Sequence, residues 1–109
     1  MEKSIVLDRL EALAQETRLD IVKLLVRHGE ESLSSGFIAT ELCLPTATLA
    51  FHLNKLVQTG LIKRHNSGRN RFYRADIGAV YALAAYLVEN CCTENEKCAS
   101  ALIGGVQVA

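Results

Sequence analysis

Residues 46–62 of this chain are TATLAFHLNKLVQTGLI, and apolar side chains recur in them at the three- and four-residue intervals of one helix face. The side chains expected on the buried face are Leu49, Leu53, Leu56 and Val57. Pro45 fits the first turn of this helix, where its missing N–H group costs no hydrogen bond, and Gly60 would end the helix. The pattern predicts a helix from about residue 46 to residue 58.

A shorter helix is expected just before it, from about residue 36 to residue 42, because Ser34 or Ser35 can accept a hydrogen bond from its first turn. Two helices joined by a turn of three or four residues form a helix-turn-helix, whose second helix enters the major groove of DNA. We expect His52 and Lys55 to lie opposite the leucine face of that second helix. The side chains predicted to contact DNA there are Thr46, Thr48, Phe51, His52 and Lys55.

A β-hairpin is predicted after the helix-turn-helix. Residues 61–65 (LIKRH) and 71–75 (RFYRA) are typical of two short strands, and residues 66–70 (NSGRN) are typical of the turn between them. The hairpin would carry a basic tip. We predict that Arg69 and Arg71 reach the neighbouring minor groove or the DNA backbone.

Helical spacing also predicts helices over residues 3–14 and 18–27, and a last helix from residue 77 to about residue 90. The expected fold class is mainly α with a β-hairpin wing (α+β), a winged helix-turn-helix. The last helix is apolar on nearly all sides, and a domain this small cannot bury every face of it. We expect the first and last helices to form a homodimer interface, which would set two recognition helices about one DNA turn apart. An unusually apolar core helix is the alternative.

Acidic and basic residues are unevenly distributed, although the formal net charge is zero. The segment from Leu42 to Ala75 contains no Asp or Glu, and all twelve acidic residues lie outside it with the other six basic residues, so the segment carries +6 and the remainder −6. The basic residues of the segment are Lys55, Lys63, Arg64, Arg69, Arg71 and Arg74. A solvated basic surface is one interpretation. Contact with double-stranded DNA is favoured, because a basic stripe free of acids suits a polyanion.

Length and composition restrict the class of protein. The chain has 109 residues, of which 50% are hydrophobic, and this supports one domain with a packed core. No apolar run reaches the roughly 18 residues of a membrane span, and charged side chains interrupt the first ten residues, unlike a signal peptide. We expect a cytoplasmic protein with no membrane partner, whose four cysteines are free thiols. Residues 1–90 would be the DNA-binding and dimerisation domain, and residues 91–109 a cysteine-bearing tail.

This order of elements resembles the ArsR/SmtB family of bacterial metal-responsive repressors, over about residues 13–90. The segments similar to the family are residues 14–21 (AQETRLDI), 48–53 (TLAFHL), 59–62 (TGLI) and 68–73 (GRNRFY). The resemblance implies a homodimeric repressor that metal releases from its operator.

Two departures from the family pattern bear on function. Ala50 and Phe51 stand where the family often has Ser and His, which removes polar groups from the expected DNA surface. Cys43 stands in the turn, where the family often has Gly. We expect Cys43 to be a packing residue rather than a ligand, because a single Cys is among the residue types most often buried.

The candidate metal ligands are Cys91, Cys92 and Cys98. Soft thiolates select thiophilic ions, and three thiols without an imidazole suit As(III) or Sb(III), whereas zinc takes a fourth ligand. The resemblance adds that the His ligands of the family's zinc and cobalt sensors are absent. Ser34 and Gly36 occupy the positions of the Cys-x-Cys pair found in many of its arsenic and cadmium sensors. The C-terminal cysteines look like the arsenic-responsive subclass.

One continuous helix cannot bring all three thiols to one ion. Cys91 and Cys98 would be about 10.5 Å apart along its axis, whereas sulfur ligands of one ion approach to about 4 Å. We expect the chain to unwind after Asn90 and fold back; ligands from both subunits are the alternative.

Three other interpretations of these cysteines remain: unligated thiols on a tail, a redox switch with a disulfide from Cys91 or Cys92 to Cys98, and a small thiol-dependent reductase. An enzyme with a catalytic cofactor is not expected. The thiols follow a helix C-terminus, whose dipole has the wrong sign to activate a thiolate. The function predicted is a DNA-binding repressor that As(III) or Sb(III) releases from its operator.

Overall fold

The computed structural model describes residues 1–90, so the predictions about Cys91, Cys92 and Cys98 lie outside the described residues. Within residues 1–90 the chain forms five helices and three strands. In chain order they are α1 (Lys3–Leu13), α2 (Glu16–Arg27), β1 (Leu33–Ser34), α3 (Ser35–Leu42), α4 (Thr46–Thr59), β2 (Ile62–Ser67), β3 (Asn70–Ala75) and α5 (Ile77–Val88). The predicted winged helix-turn-helix is confirmed.

The helix-turn-helix consists of α3 and α4, which meet at an angle of 113°. Ser34 caps α3, because its hydroxyl accepts a hydrogen bond from the backbone N–H of Phe37 at 3.1 Å. Pro45 is the N-cap of α4 and not, as predicted, a residue of its first turn. Gly60 ends α4 as predicted, with a φ of +80° that an L side chain rarely adopts.

The wing is longer than the sequence predicts. Strands β2 and β3 pair from Ile62 opposite Ala75 to Ser67 opposite Asn70, so only two residues form the turn. Gly68, the first of them, has a φ of +63°, which matches the type II′ hairpin turn that favours Gly there. A third strand was missed: β1 pairs with β3, in the strand order β1-β3-β2. Two residues are too few to show an alternating pattern in the sequence.

The core lies between α2, α3, α4 and the base of the hairpin. Its largest fully buried side chains are Ile21, Leu25, Ile38, Leu49, Leu53, Leu56, Leu61 and Ile62. All three leucines predicted for the buried face of α4 are in this set. Because each such side chain contributes about 1.5–3 kcal/mol on burial, the orientation of α4 is fixed by its own chain.

Two arginines tie α4 to the N-terminal helices. The Nε group of Arg9 donates to the carbonyl oxygen of Thr59 at 2.8 Å, which satisfies one of the carbonyls left open at the end of α4. Arg18 donates through Nε to the carbonyl oxygen of Ala12 at 2.7 Å and through Nη1 to Nδ1 of His52 at 3.0 Å. Helix α2 begins at Glu16, two residues before its predicted start, and the side chain of Gln15 caps it.

Helix α5 has the fewest buried residues of the five described helices. The carboxylate of Asp76 caps it, accepting from the backbone N–H of Ala79 at 3.1 Å. Leu83 is its one buried residue, while Tyr81 is 73% exposed and Leu87 is 60% exposed. The helix ends at Val88. Asn90 has a φ of +67°, which lies in the left-handed region.

None of the described helices is by itself long and apolar enough to cross a membrane. Helices α3 and α4 reach that length and apolarity only when they are counted together across their 113° bend.

Candidate nucleic-acid interface

The side of α4 that faces away from the core carries the exposed residues Ala47, Phe51, Asn54 and Gln58. Their spacing of three and four residues places them on one stripe of the helix. Phe51 is 64% exposed at the middle of that stripe. Thr46 and Thr48, both predicted to contact DNA, are also exposed in the first turn. The N-terminal half of α4 is therefore accessible to a groove of DNA.

His52 does not lie on that exposed side, so its predicted position opposite the leucine face is wrong. The residue is 9% exposed and points toward α2. Its Nδ1 atom accepts from Arg18, since a guanidinium has only donors, and the imidazole is therefore neutral. Burial and the Arg18 charge lower the pKa of His52. His52 helps to fix α4 against α2 and is not available to a base edge.

Lys55 lies on the flank of α4 that faces α1. Its ammonium is 3.6 Å from a carboxylate oxygen of Glu11, and its side chain is about half-buried. A shallow pocket between the two helices is lined by Asp8, Glu11, Lys55, Gln58 and Thr59. Contact of Lys55 with DNA stays a prediction, and it would compete with this ion pair.

The hairpin places two arginines beside α4. Residues directly opposite each other in an antiparallel pair lie on the same face of the sheet. Arg64 is opposite Tyr73, and Arg71 is opposite Asn66, two residues closer to the tip of the hairpin, so Arg64 and Arg71 lie on the same face as Tyr73. Tyr73 is buried, so this is the face turned toward the core and α4. Arg64 donates to Oδ1 of Asn54 at 2.7 Å, and Arg71 lines one pocket with Thr46. Arg64 therefore lies beside the exposed stripe near Asn54, and Arg71 lies beside the N-terminal end of α4 near Thr46.

Arg69 is the second residue of the two-residue turn and is exposed at the tip of the wing. Among the described residues, no carboxylate forms an ion pair with Arg64, Arg69 or Arg71. The charge of these three arginines is therefore available to phosphate, unlike that of Lys55 and of Lys63, which lies 3.7 Å from Asp76.

Asn54 and Arg64 were not predicted as site residues, although Arg64 was counted in the basic segment. Asn54 lies three residues after Phe51, so helical spacing would have identified it. Arg64 lies two residues after the apolar Ile62, so the alternation of side chains along a strand would have placed it on the face of Ile62.

Known proteins carry the same domain. A helix-turn-helix domain family model matches residues 13–65. A transcriptional regulator, HlyU from Vibrio vulnificus, is 30% identical with a TM-score of 0.59, covering 78% of this chain and 86% of that one. An ArsR-like transcriptional regulator from Rhodococcus is 28% identical with a TM-score of 0.69, covering 91% and 90%. The homodimeric winged helix-turn-helix domain of a possible ArsR-family regulator from Mycobacterium bovis is 26% identical with a TM-score of 0.63, covering 79% and 80%.

This chain is a transcriptional regulator of the ArsR/HlyU type. It is a DNA-binding protein and not an enzyme. No curated protein matches the chain significantly.

Within this regulator, Cys43 is exposed, so the expectation that it packs in the core is wrong. It ends α3 with a φ of +54° and a ψ of +47°, the left-handed conformation that Gly adopts most easily. The turn of the helix-turn-helix requires this backbone angle, which explains why the resemblance leads one to expect Gly there. Cys43 thus adopts a backbone conformation that favours Gly, and its exposed thiol donates to the carbonyl oxygen of Thr40 at 3.9 Å.

The described residues of the regulator contain no group of three or more His, Cys, Asp or Glu side chains that could hold a metal ion. Ser34, one of the two positions of the family's Cys-x-Cys pair, caps α3 instead. The predicted ligands Cys91, Cys92 and Cys98 lie outside the described residues, and their role stays a prediction.

Proposed function

We propose that this chain is a homodimeric transcriptional repressor that leaves its operator when As(III) or Sb(III) binds Cys91, Cys92 and Cys98. The observation that carries the DNA-binding part is the exposed stripe of α4 with Arg64, Arg69 and Arg71 beside it. A groove-sized helix next to arginines without ion pairs suits a DNA duplex, since backbone phosphates supply most of the affinity and groove contacts supply the sequence preference.

The dimer is supported by the surface of α5. Tyr81, Leu87 and Val88 are exposed on this helix, and Met1, Ile5 and Leu7 are exposed on or next to α1. Met1 lines one pocket with Ala82, Ala85 and Tyr86, so the apolar surfaces of the two helices are continuous. A second copy of the chain would cover this surface by twofold symmetry. The related domain from Mycobacterium bovis is described as homodimeric, which supports the same assembly here.

The inducer is inferred from the chemistry of the donors. Three cysteines within eight residues, with no His after His65, offer soft sulfur ligands and no imidazole. Such a donor set fits a thiophilic ion with three bonds and a lone pair. Helix α5 ends at Val88, before the first of the three cysteines. We propose that a local loop, and not a continuation of α5, brings the three thiols to one ion.

Coupling between inducer and DNA would run through α5. An ion bound directly after the end of the proposed dimer helix would change how the two copies pack, and with it the spacing of the two α4 helices. A coupling free energy of about 1–3 kcal/mol corresponds to a roughly 5- to 150-fold loss of DNA affinity.

The test is operator binding by fluorescence anisotropy under reducing conditions, with arsenite, zinc, cadmium and peroxide added in separate titrations. We expect arsenite to weaken binding within the range just given, and serine substitutions of Cys91, Cys92 and Cys98 to abolish that response. The apo affinity of the variants should stay near that of the wild type. Cys43→Ser is the matched control, because it removes an exposed thiol outside the proposed site.

Two outcomes would contradict the proposal. If the three substituted forms still dissociate with arsenite, the ion binds elsewhere. If peroxide releases DNA and arsenite does not, the cysteines act as the redox switch with a disulfide to Cys98.

A further inference from the structure

We propose that the recognition helix α4 reads the C5-methyl groups of thymine in the major groove, with Phe51 as the specificity-determining residue. This inference rests on the DNA-binding function and names the base chemistry that the same surface recognises.

The first two turns of α4 expose an apolar surface. Ala47, Ala50 and Phe51 are all exposed and have no polar side-chain atoms, while the exposed Thr46 and Thr48 beside them each present a methyl group and a hydroxyl group. Phe51 is 64% exposed, and its ring meets the imidazole of His52 edge-on, with ring centroids 5.3 Å apart. Because His52 is itself buried, this contact holds one side of the Phe51 ring, while the rest of the residue stays exposed.

Base edges offer one apolar group in the major groove, the methyl group of thymine. Side chains such as Ala, Thr and Phe contact it, whereas Asn, Gln and Arg read the polar edges of purines. A recognition surface whose first two turns present a phenyl ring and the methyl groups of two alanines and two threonines is therefore complementary to thymine. Asn54, the first amide on the stripe, is one turn further along, and its Oδ1 already accepts from Arg64.

The occupant is DNA and not an apolar protein surface, because of the charges around the patch. Arg64, Arg69 and Arg71 lie on the wing side of α4 and have no ion pair among residues 1–90. A small apolar patch bordered by unpaired arginines suits a groove whose floor carries methyl groups and whose walls carry phosphates.

The experiment begins with selection of a duplex from a random-sequence pool by the full wild-type chain. The enriched duplex is then synthesised with deoxyuridine in place of single thymines, which removes only the methyl group. Anisotropy should show about fourfold weaker binding for each contacted methyl group removed, the factor that corresponds to about 0.8 kcal/mol for one buried apolar carbon. Thymines outside the protected region are the internal control and should give no change.

Phe51→Ala assigns the discrimination to one side chain. We expect this variant to bind the thymine duplex more weakly than the wild type does and to bind the thymine and deoxyuridine duplexes equally. Phe37→Ala is the matched control: Phe37 is also an exposed phenylalanine, on α3, and it packs against His28 with ring centroids 6.0 Å apart. It should retain the wild-type preference for thymine.

Three results would overturn the inference while leaving DNA binding intact: an enriched duplex without thymine in the protected major groove, equal binding of both duplexes by the wild type, or unchanged discrimination in Phe51→Ala. If no sequence is enriched and binding does not depend on salt, the DNA-binding function itself fails and the inference fails with it.

Discussion

Helices α4 and α5 are both rich in apolar side chains, but the chain buries only one of them. Four residues of α4 are buried against α1, α2 and α3, and its end is capped by Arg9. Helix α5 is more apolar in composition, yet Leu83 is its one buried residue. The recognition helix is therefore positioned by a single copy of the chain, whereas α5 has an apolar surface that one copy leaves open. We propose that reading DNA and assembling the dimer are separate tasks of these two helices.

The largest expected effect is a loss of stability on truncating a buried side chain of α4. Leu56 is fully buried, so Leu56→Ala should lower the free energy of unfolding by about 2–5 kcal/mol, through reduced burial and the cavity left behind. Urea denaturation followed by circular dichroism measures it. Leu87→Ala is the control on α5 and should cost less when the measurement is made at a dilution that favours single chains.

Breaking the proposed dimer should affect DNA binding more than folding. Leu87→Glu puts a charge on a side chain that is 60% exposed in one copy. We expect single chains in analytical ultracentrifugation and about 100-fold weaker operator binding, since linking two binding events raises affinity by about 10²- to 10⁴-fold. Val26→Glu alters a partly exposed residue of α2 and should leave the dimer intact. A Leu87→Glu variant that remains dimeric would refute the assignment of α5.

Removing one arginine beside α4 should have a smaller, salt-dependent effect. Arg71→Ala should weaken operator binding by about tenfold at low salt, because charge-assisted hydrogen bonds contribute about 1.5–3 kcal/mol each and screening reduces this. The slope of log affinity against log salt should fall by about 0.9 for each phosphate that the variant no longer neutralises. Arg27→Ala, at the end of α2, removes the same charge away from α4, and its slope should equal that of the wild type.

The smallest predicted effect is a pH dependence that comes from His52. Its pKa in the folded state is lowered by burial and by Arg18, so the unfolded chain binds more protons as the pH falls through the ordinary histidine value. The free energy of unfolding should therefore decrease in that range, and the loss should end below the lowered pKa. Thermal melts from about pH 7.5 to about pH 5.5 should show a shallower decrease for His52→Gln than for the wild type. Equal slopes would mean that His52 is not held neutral.

Much of the fold was predictable, because caps and periodicity are local signals. Ser34, Gly60 and Asp76 mark helix ends through their own backbone or side-chain chemistry, and the leucines of α4 repeat over three turns. Strand β1 was not predictable, since its two residues are a strand only because β3 lies beside them.

The site was predictable in part. Thr46, Thr48, Phe51, Arg69 and Arg71 are exposed on the helix and wing, as their positions in the pattern led us to expect. The predicted orientation of His52 was wrong because a residue at the border of the apolar side of a helix can face either solvent or a neighbouring helix. The hydrogen bond from Arg18 of α2 turns His52 toward α2. Long-range partners of this kind leave no mark in the local sequence. The hydrogen bond that joins Arg64 of the hairpin to Asn54 of α4 escaped prediction for the same reason.

The most direct test of the division between α4 and α5 is the stoichiometry of the complex, obtained from an anisotropy titration at a duplex concentration far above the dissociation constant. We predict saturation at two chains per operator duplex, with each copy supplying one α4 helix. Saturation at one chain per duplex would contradict the account, because a single copy would then bind DNA with the apolar surface of α5 still open.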